Sequence, residues 1–172
     1  MVKKLYEFEP RLKKIREKIV MSVCLLLSSL AYGVSNFLPY PSLYQLLAVI
    51  LLTVAVLMIV RYLLRDYVYA IHADENGEAS ELIIVEIMGK KQSVVCRVSL
   101  ADVDKMIPCA LFLKSELRRQ TEIYRYVSEM VPENAFYLEI SSAGKQFVVE
   151  ILADRTLEKL ISSGQKQDLT KM

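Results

Sequence analysis

The sequence predicts a two-part chain. A membrane α-helical hairpin precedes an α+β cytoplasmic domain, in which a bent antiparallel sheet of about six or seven strands is capped by a C-terminal helix. Three observations lead there. The mean hydropathy of +0.30 is high for a chain with 24% charged residues. Residues 19–60 contain no Asp, Glu, Lys or Arg, so every charge lies outside one stretch. Beyond residue 65, apolar and polar residues alternate with period two between turn residues, and the period becomes helical only near the end.

The 172 residues suffice for one ordinary domain plus an additional segment. A net charge of +2 gives no basis for nucleic-acid binding. Five Gly and five Pro exclude a collagen-like or low-complexity chain.

Residues 1–18 carry seven basic side chains, at Lys3, Lys4, Arg11, Lys13, Lys14, Arg16 and Lys18, against three acidic ones. Leu5, Phe8, Leu12, Ile15 and Ile19 recur at spacings of three and four. That period predicts a basic amphipathic segment, helical from about Glu9 and continuous with the first membrane helix; Pro10 is tolerated in a first turn. Two uses stay open. The segment is a topology signal with snorkelling side chains, or Lys13 and Lys14 contact anionic headgroups at about 1 kcal/mol per basic residue.

The hairpin, residues 19–64, comprises apolar runs at 19–38 and 43–64. Each is close to the ~20 residues that cross a bilayer. Pro39-Tyr40-Pro41-Ser42 between them stops one helix and opens the next. The first run is too long for a signal-peptide core, and no small-x-small cleavage site follows it. Arg16, Lys18, Arg61 and Arg65 flank the hairpin, whereas its turn has no charge. The positive-inside rule therefore predicts a multi-pass protein of the cell (inner) membrane with both termini cytoplasmic. Ser28, Ser29, Ala31 and Gly33 offer a small-residue face for the second helix or for a homo-oligomer.

Residues 65–164 form the cytoplasmic domain, and 165–172 a flexible tail. Strands are expected at Asp66–Ala73, Glu81–Met88, Gln92–Leu100, Lys105–Cys109, Glu122–Val127, Phe136–Ile140 and Gln146–Leu152. Gly89-Lys90-Lys91 and Ser142-Ala143-Gly144 are the tight turns, and Ala110–Gln120 is a helical or loop insert. Asp154 caps a final helix with Leu157, Leu160 and Ile161 on one face and Gly164 as its stop.

The strand after the anchor (Asp66–Tyr69), the Gly89-Lys90-Lys91 hairpin, the segment Arg97–Val103 and the ending Phe147–Ile151 with Asp154–Ile161 resemble the small bacterial membrane-anchored PH-like proteins. Asp66–Tyr69 with Tyr124-Arg125-Tyr126, Pro132 and Tyr137 is also similar to clostridial-type two-helix membrane proteins of unknown function. The resemblance implies a fold and a location, and no reaction. In eukaryotic PH domains a basic loop between the first strands binds phosphoinositide headgroups, which makes Lys90 and Lys91 candidate headgroup contacts.

Little else carries chemistry. His72 lies in a strand pattern with no nucleophile motif around it. Cys24, Cys96 and Cys109 lack metal spacing. Lys114, Arg118, Arg119 and Arg125 with Glu116 and Glu122 suggest a salt-bridged helix face. The expected function is a non-enzymatic membrane protein presenting an adaptor or assembly domain to a protein partner, without cofactor or metal. The alternative is recognition of anionic lipid headgroups at the bilayer surface.

Overall fold

A computed structural model describes residues 3–10, 14–37, 39–112, 121–132, 134–142 and 144–168. The chain divides into two compact units. One is a sheet domain built from Met1–Arg11, Tyr67–Val127 and Val131–Met172; the other comprises Leu12–Asp66 and Ser128–Met130.

The second unit is the hairpin. Helix α1 (Ile15–Val34) continues into a 3₁₀ turn at Ser35–Phe37, and α2 (Pro41–Met58) ends in a π-helical turn, Ile59–Leu63. With these turns each helix runs 23 residues, long and apolar enough to cross a membrane. Only 11% of each apolar window is buried, so neither resembles the core helix of a soluble domain. The double proline acts as expected: Pro41 occupies the first turn of α2 behind Tyr40, whose φ is +68°. The helices meet through small residues seven apart. Ser28 on α1, Ser35 in the turn that follows it, and Ala48 and Ala55 on α2 are buried. Ser28 Oγ donates to the Ala48 carbonyl at 2.8 Å, a contact worth about 0.6–2 kcal/mol between apolar helices. Of the predicted small face, Ser29 is exposed and bonds its own helix, and a Cβ on Gly33 would meet open space.

At the foot of the hairpin, Lys14 Nζ reaches Asp66 Oδ1 at 2.7 Å and the Arg65 carbonyl at 3.1 Å. Glu17, 4% exposed in the first turn of α1, accepts the Met130 N–H at 2.8 Å.

Among the described residues the sheet domain has eight strands. Strands β1 (Lys3–Phe8), β2 (Arg65–Ala73), β3 (Ala79–Met88) and β4 (Lys91–Ser99) form one sheet in that order. A 3₁₀ turn at Leu100–Asp102 leads to β5 (Val103–Pro108), the one-turn helix α3 (Cys109–Phe112) and β6 (Glu122–Arg125). Strands β7 (Ala135–Ser142) and β8 (Lys145–Leu152) complete the second sheet, ordered β5-β7-β8-β6, and helix α4 (Arg155–Asp168) closes the chain.

Three expectations are corrected. The helix does not start near Glu9, since Glu9 and Pro10 are not helical. Residues 3–8 form edge strand β1, antiparallel to β2 from Lys3↔Ala73 to Phe8↔Tyr69, and the helix begins only at Ile15. The paired ladder and the ring contact of Phe8 with Tyr69, at 6.2 Å, hold this short segment extended. The sheets are not wholly antiparallel, because β6 pairs parallel with β8. Gly164 does not stop the last helix, which runs to Asp168. It lies inside, where a Cβ would come within 2.8–2.9 Å of the Leu100 side chain and 3.3 Å of the Ala79 carbonyl.

The core lies between the sheets. Tyr69, Ile71, Leu82, Ile84, Leu138, Ile140, Val149 and Ile151 are fully buried, each large aliphatic contributing roughly 1.5–3 kcal/mol. Tyr69 ties the sheets together: its hydroxyl donates to the Tyr126 carbonyl at 2.7 Å and accepts the Leu152 N–H at 3.2 Å. Helix α4 inserts Leu157 and Ile161 into one corner, against Leu100–Asp102, β3 and β5. Asp154 caps it through the Leu157 N–H at 2.8 Å, as expected, and also accepts the Tyr6 hydroxyl at 2.7 Å.

Gly164→Ala in the full chain tests the corner packing. Alanine favours a helix by about 1 kcal/mol over glycine, and overpacking costs about 1–3 kcal/mol. A net loss of thermal stability is expected, and the same substitution made in a Leu100→Ala chain should cost less than in the wild-type chain. A gain would mean that α4 moves away freely.

Candidate functional site

The predicted headgroup residues take different positions. Gly89, with φ +62°, turns the β3–β4 hairpin, and Lys90 and Lys91 are exposed at its tip beside exposed Met88. Lys14 is engaged differently: its side chain is 10% exposed and its ammonium is held by Asp66. Lys13 lies outside the described residues. Arg16 and Lys18 are exposed in the first turns of α1, Arg61 is exposed at the end of the hairpin, and Arg65 is half-buried at the start of β2.

A concavity lies elsewhere in the sheet domain. Helix α4 fills one corner between the sheets; a groove of about 590 Å³ opens between edge strands β4 and β6. Strand alternation builds one wall, because Glu122 and Tyr124 lie two residues apart on β6, with Tyr126 just beyond it. Phe147 and Val149 follow the same alternation on β8, and the parallel register sets Phe147 beside Glu122. Tyr124 and Phe147 meet at 5.8 Å with rings 89° apart, and the Tyr124 hydroxyl donates to Glu122 Oε2 at 2.9 Å. Cys96 on β4 forms the opposite wall. Lys145 and Ser142 lie at the β7–β8 turn.

A bulge shapes the β4 side. Ile84 pairs with Cys96 and Val85 with Val94, leaving Val95 as the extra residue. Its carbonyl accepts the Tyr126 hydroxyl at 3.4 Å. Burial pushes the Tyr126 phenol up to about 12, with neighbouring Cys96 adding to it. Burial also raises the Cys96 thiol, which leaves it a protonated wall rather than a nucleophile. The hydrogen bond to Glu122 raises Tyr124.

The other face of β6 carries a closed charge. Glu150, 3% exposed on β8, pairs with Arg125 at 3.0 Å and lies opposite Tyr137 on β7. Burial, then Glu150, raises the Tyr137 phenol. Tyr137 stacks on Phe112 at 4.0 Å.

His72 is half-buried in β2, opposite Lys4. The three cysteines are unbridged, and no cluster of metal-ligating side chains occurs among the described residues. Residues 114, 116, 118 and 119 of the predicted salt-bridged helix face lie outside the described residues, and Glu122 and Arg125 belong to a strand. The alternation of residues 122, 124 and 126 was readable in the sequence. The parallel partner that adds Phe147 was not. No family model matches the chain, and comparisons with curated proteins and with solved structures give no match.

Alkaline titration tests the Tyr126 environment. Folded, this phenol keeps its proton to about pH 12, whereas an unfolded tyrosine releases it near pH ~10. The folded state binds the extra proton between these values, so its stability falls as pH climbs through them. Tyr126→Phe should remove one late phenolate step from the ultraviolet titration and flatten that alkaline loss. An unchanged late step would place Tyr126 in water.

Proposed function

We propose that this chain is a non-enzymatic integral membrane protein whose PH-like domain serves as an adaptor or assembly surface for a protein partner at the cytoplasmic face of the cell membrane. One observation carries the reading. Strands β1 and β2 precede and follow the apolar hairpin in sequence, yet pair with each other in one sheet. A folded sheet cannot form across a bilayer, so both flanks belong to one side. The basic side chains before α1, with Arg61 and Arg65 after the second apolar run, favour the cytoplasm for that side.

A single residue, Leu64, separates the last turn of the hairpin from β2, which keeps the domain within reach of the bilayer. The PH-like reading draws support from two successive sheets whose corner is plugged by the C-terminal helix. The added strand β1 and the parallel β6–β8 pair depart from that pattern. The exposed Lys90–Lys91 tip favours the second reading, contact with anionic headgroups.

A compartment reporter fused after Met172 should be active in the cytoplasm; activity outside would overturn the topology. Crosslinking of the full chain in native membranes, followed by purification, should retain the same protein partner when Lys90 and Lys91 are both changed to Glu. Loss of capture together with loss of retention on anionic vesicles would favour the lipid reading.

A further inference from the structure

We propose that the groove between β4 and β6 is a binding site for an organic ammonium ion, held by the Glu122 carboxylate and the perpendicular rings of Tyr124 and Phe147. The site is independent of the adaptor reading, since it needs neither a protein partner nor a particular topology. Its chemistry follows from three contacts. The rings stand 89° apart at 5.8 Å, giving two walls of a box. Aromatic faces attract cations, and alkylammonium groups most readily because their hydration is weak. The Tyr124 hydroxyl donates to Glu122 at 2.9 Å, which orients the carboxylate beside those walls.

Depth selects an alkyl-substituted cation over a bare metal ion. Behind Phe147 the groove is floored by Val149, fully buried, and faced by Cys96. These apolar surfaces suit carbon chains. Lys145 starts β8 at the β7–β8 turn, two residues before Phe147, so one end of the groove is polar and the Val149 end is apolar. The volume of about 590 Å³ lies within the range of small-ligand pockets.

Such a group comes from a free alkylammonium compound or from a lipid headgroup of the choline type. The test uses the full chain in a non-ionic detergent and titrates n-butyltrimethylammonium by ligand-observed NMR. Saturable binding is expected, weakened about 5- to 10-fold by Glu122→Gln and by Tyr124→Leu. Glu158→Gln on α4 should leave it unchanged. The neutral isostere 3,3-dimethylbutanol should bind at least about fivefold more weakly to the wild-type chain, a comparison that does not depend on any variant folding. In nanodiscs, competition by phosphatidylcholine over phosphatidylglycerol assigns the headgroup as source, and its absence assigns the free cation. No saturable binding, equal affinity for the neutral isostere, or indifference to both groove substitutions would overturn the site.

Discussion

The pairing of β1 with β2 is the constraint on which the rest depends. These strands are separated in sequence by the whole apolar hairpin, yet share one ladder from Lys3↔Ala73 to Phe8↔Tyr69. The hairpin is thus an insertion between two neighbouring strands of one sheet. An edge strand of six residues is a weak element alone. Here its second half is held, by the Phe8 ring against Tyr69 and by the Tyr6 hydroxyl on Asp154, the cap of the last helix. The beginning and the end of the chain therefore stabilise each other around the sheet.

Tyr69 extends that constraint from one sheet to the next. It is wholly buried, and a buried phenol without partners would cost roughly 1–3 kcal/mol. Its hydroxyl instead satisfies the Tyr126 carbonyl and the Leu152 N–H. Two sheets joined in this way leave two corners to close. Helix α4 closes one with Leu157, Ile161 and a glycine that admits Leu100. The other, between β4 and β6, is bridged where Tyr126 reaches the bulged Val95 carbonyl. The groove is the remainder of that second corner.

Much of this architecture was legible in the residues. The uncharged stretch, the double proline, the Gly89 hairpin and the Asp154 cap are local signals, and each appears where its chemistry requires. What stayed hidden depends on distant partners. Lys3–Phe8 has a helical spacing of Leu5 and Phe8, but its ladder with β2 decides its conformation, as tertiary pairing overrides local period. Gly164 reads as a helix stop by type, and only Leu100 reveals it as a close approach. The parallel β6–β8 register has no local signature, so Glu122, Tyr124 and Phe147 could not be assembled from sequence alone. Lys14 reads as a free surface lysine until Asp66 is placed beside it.

Strand β6 shows how one short segment can carry two kinds of charge. Alternation sends Arg125 to one face and Glu122 to the other. On the first face Arg125 meets Glu150, both charges are largely withdrawn from water, and Tyr137 and Phe112 pack beside them. Removing one partner of such a pair leaves a buried charge, which costs several kcal/mol, so these residues serve the fold. On the second face Glu122 is exposed, and its described hydrogen-bond donor is the Tyr124 phenol. An exposed carboxylate adds little to stability, because water solvates it equally well in the unfolded chain. Its place beside the perpendicular rings of Tyr124 and Phe147 is therefore not explained by folding energetics. That asymmetry between the faces of one strand separates the residues that hold the domain together from those available to a ligand.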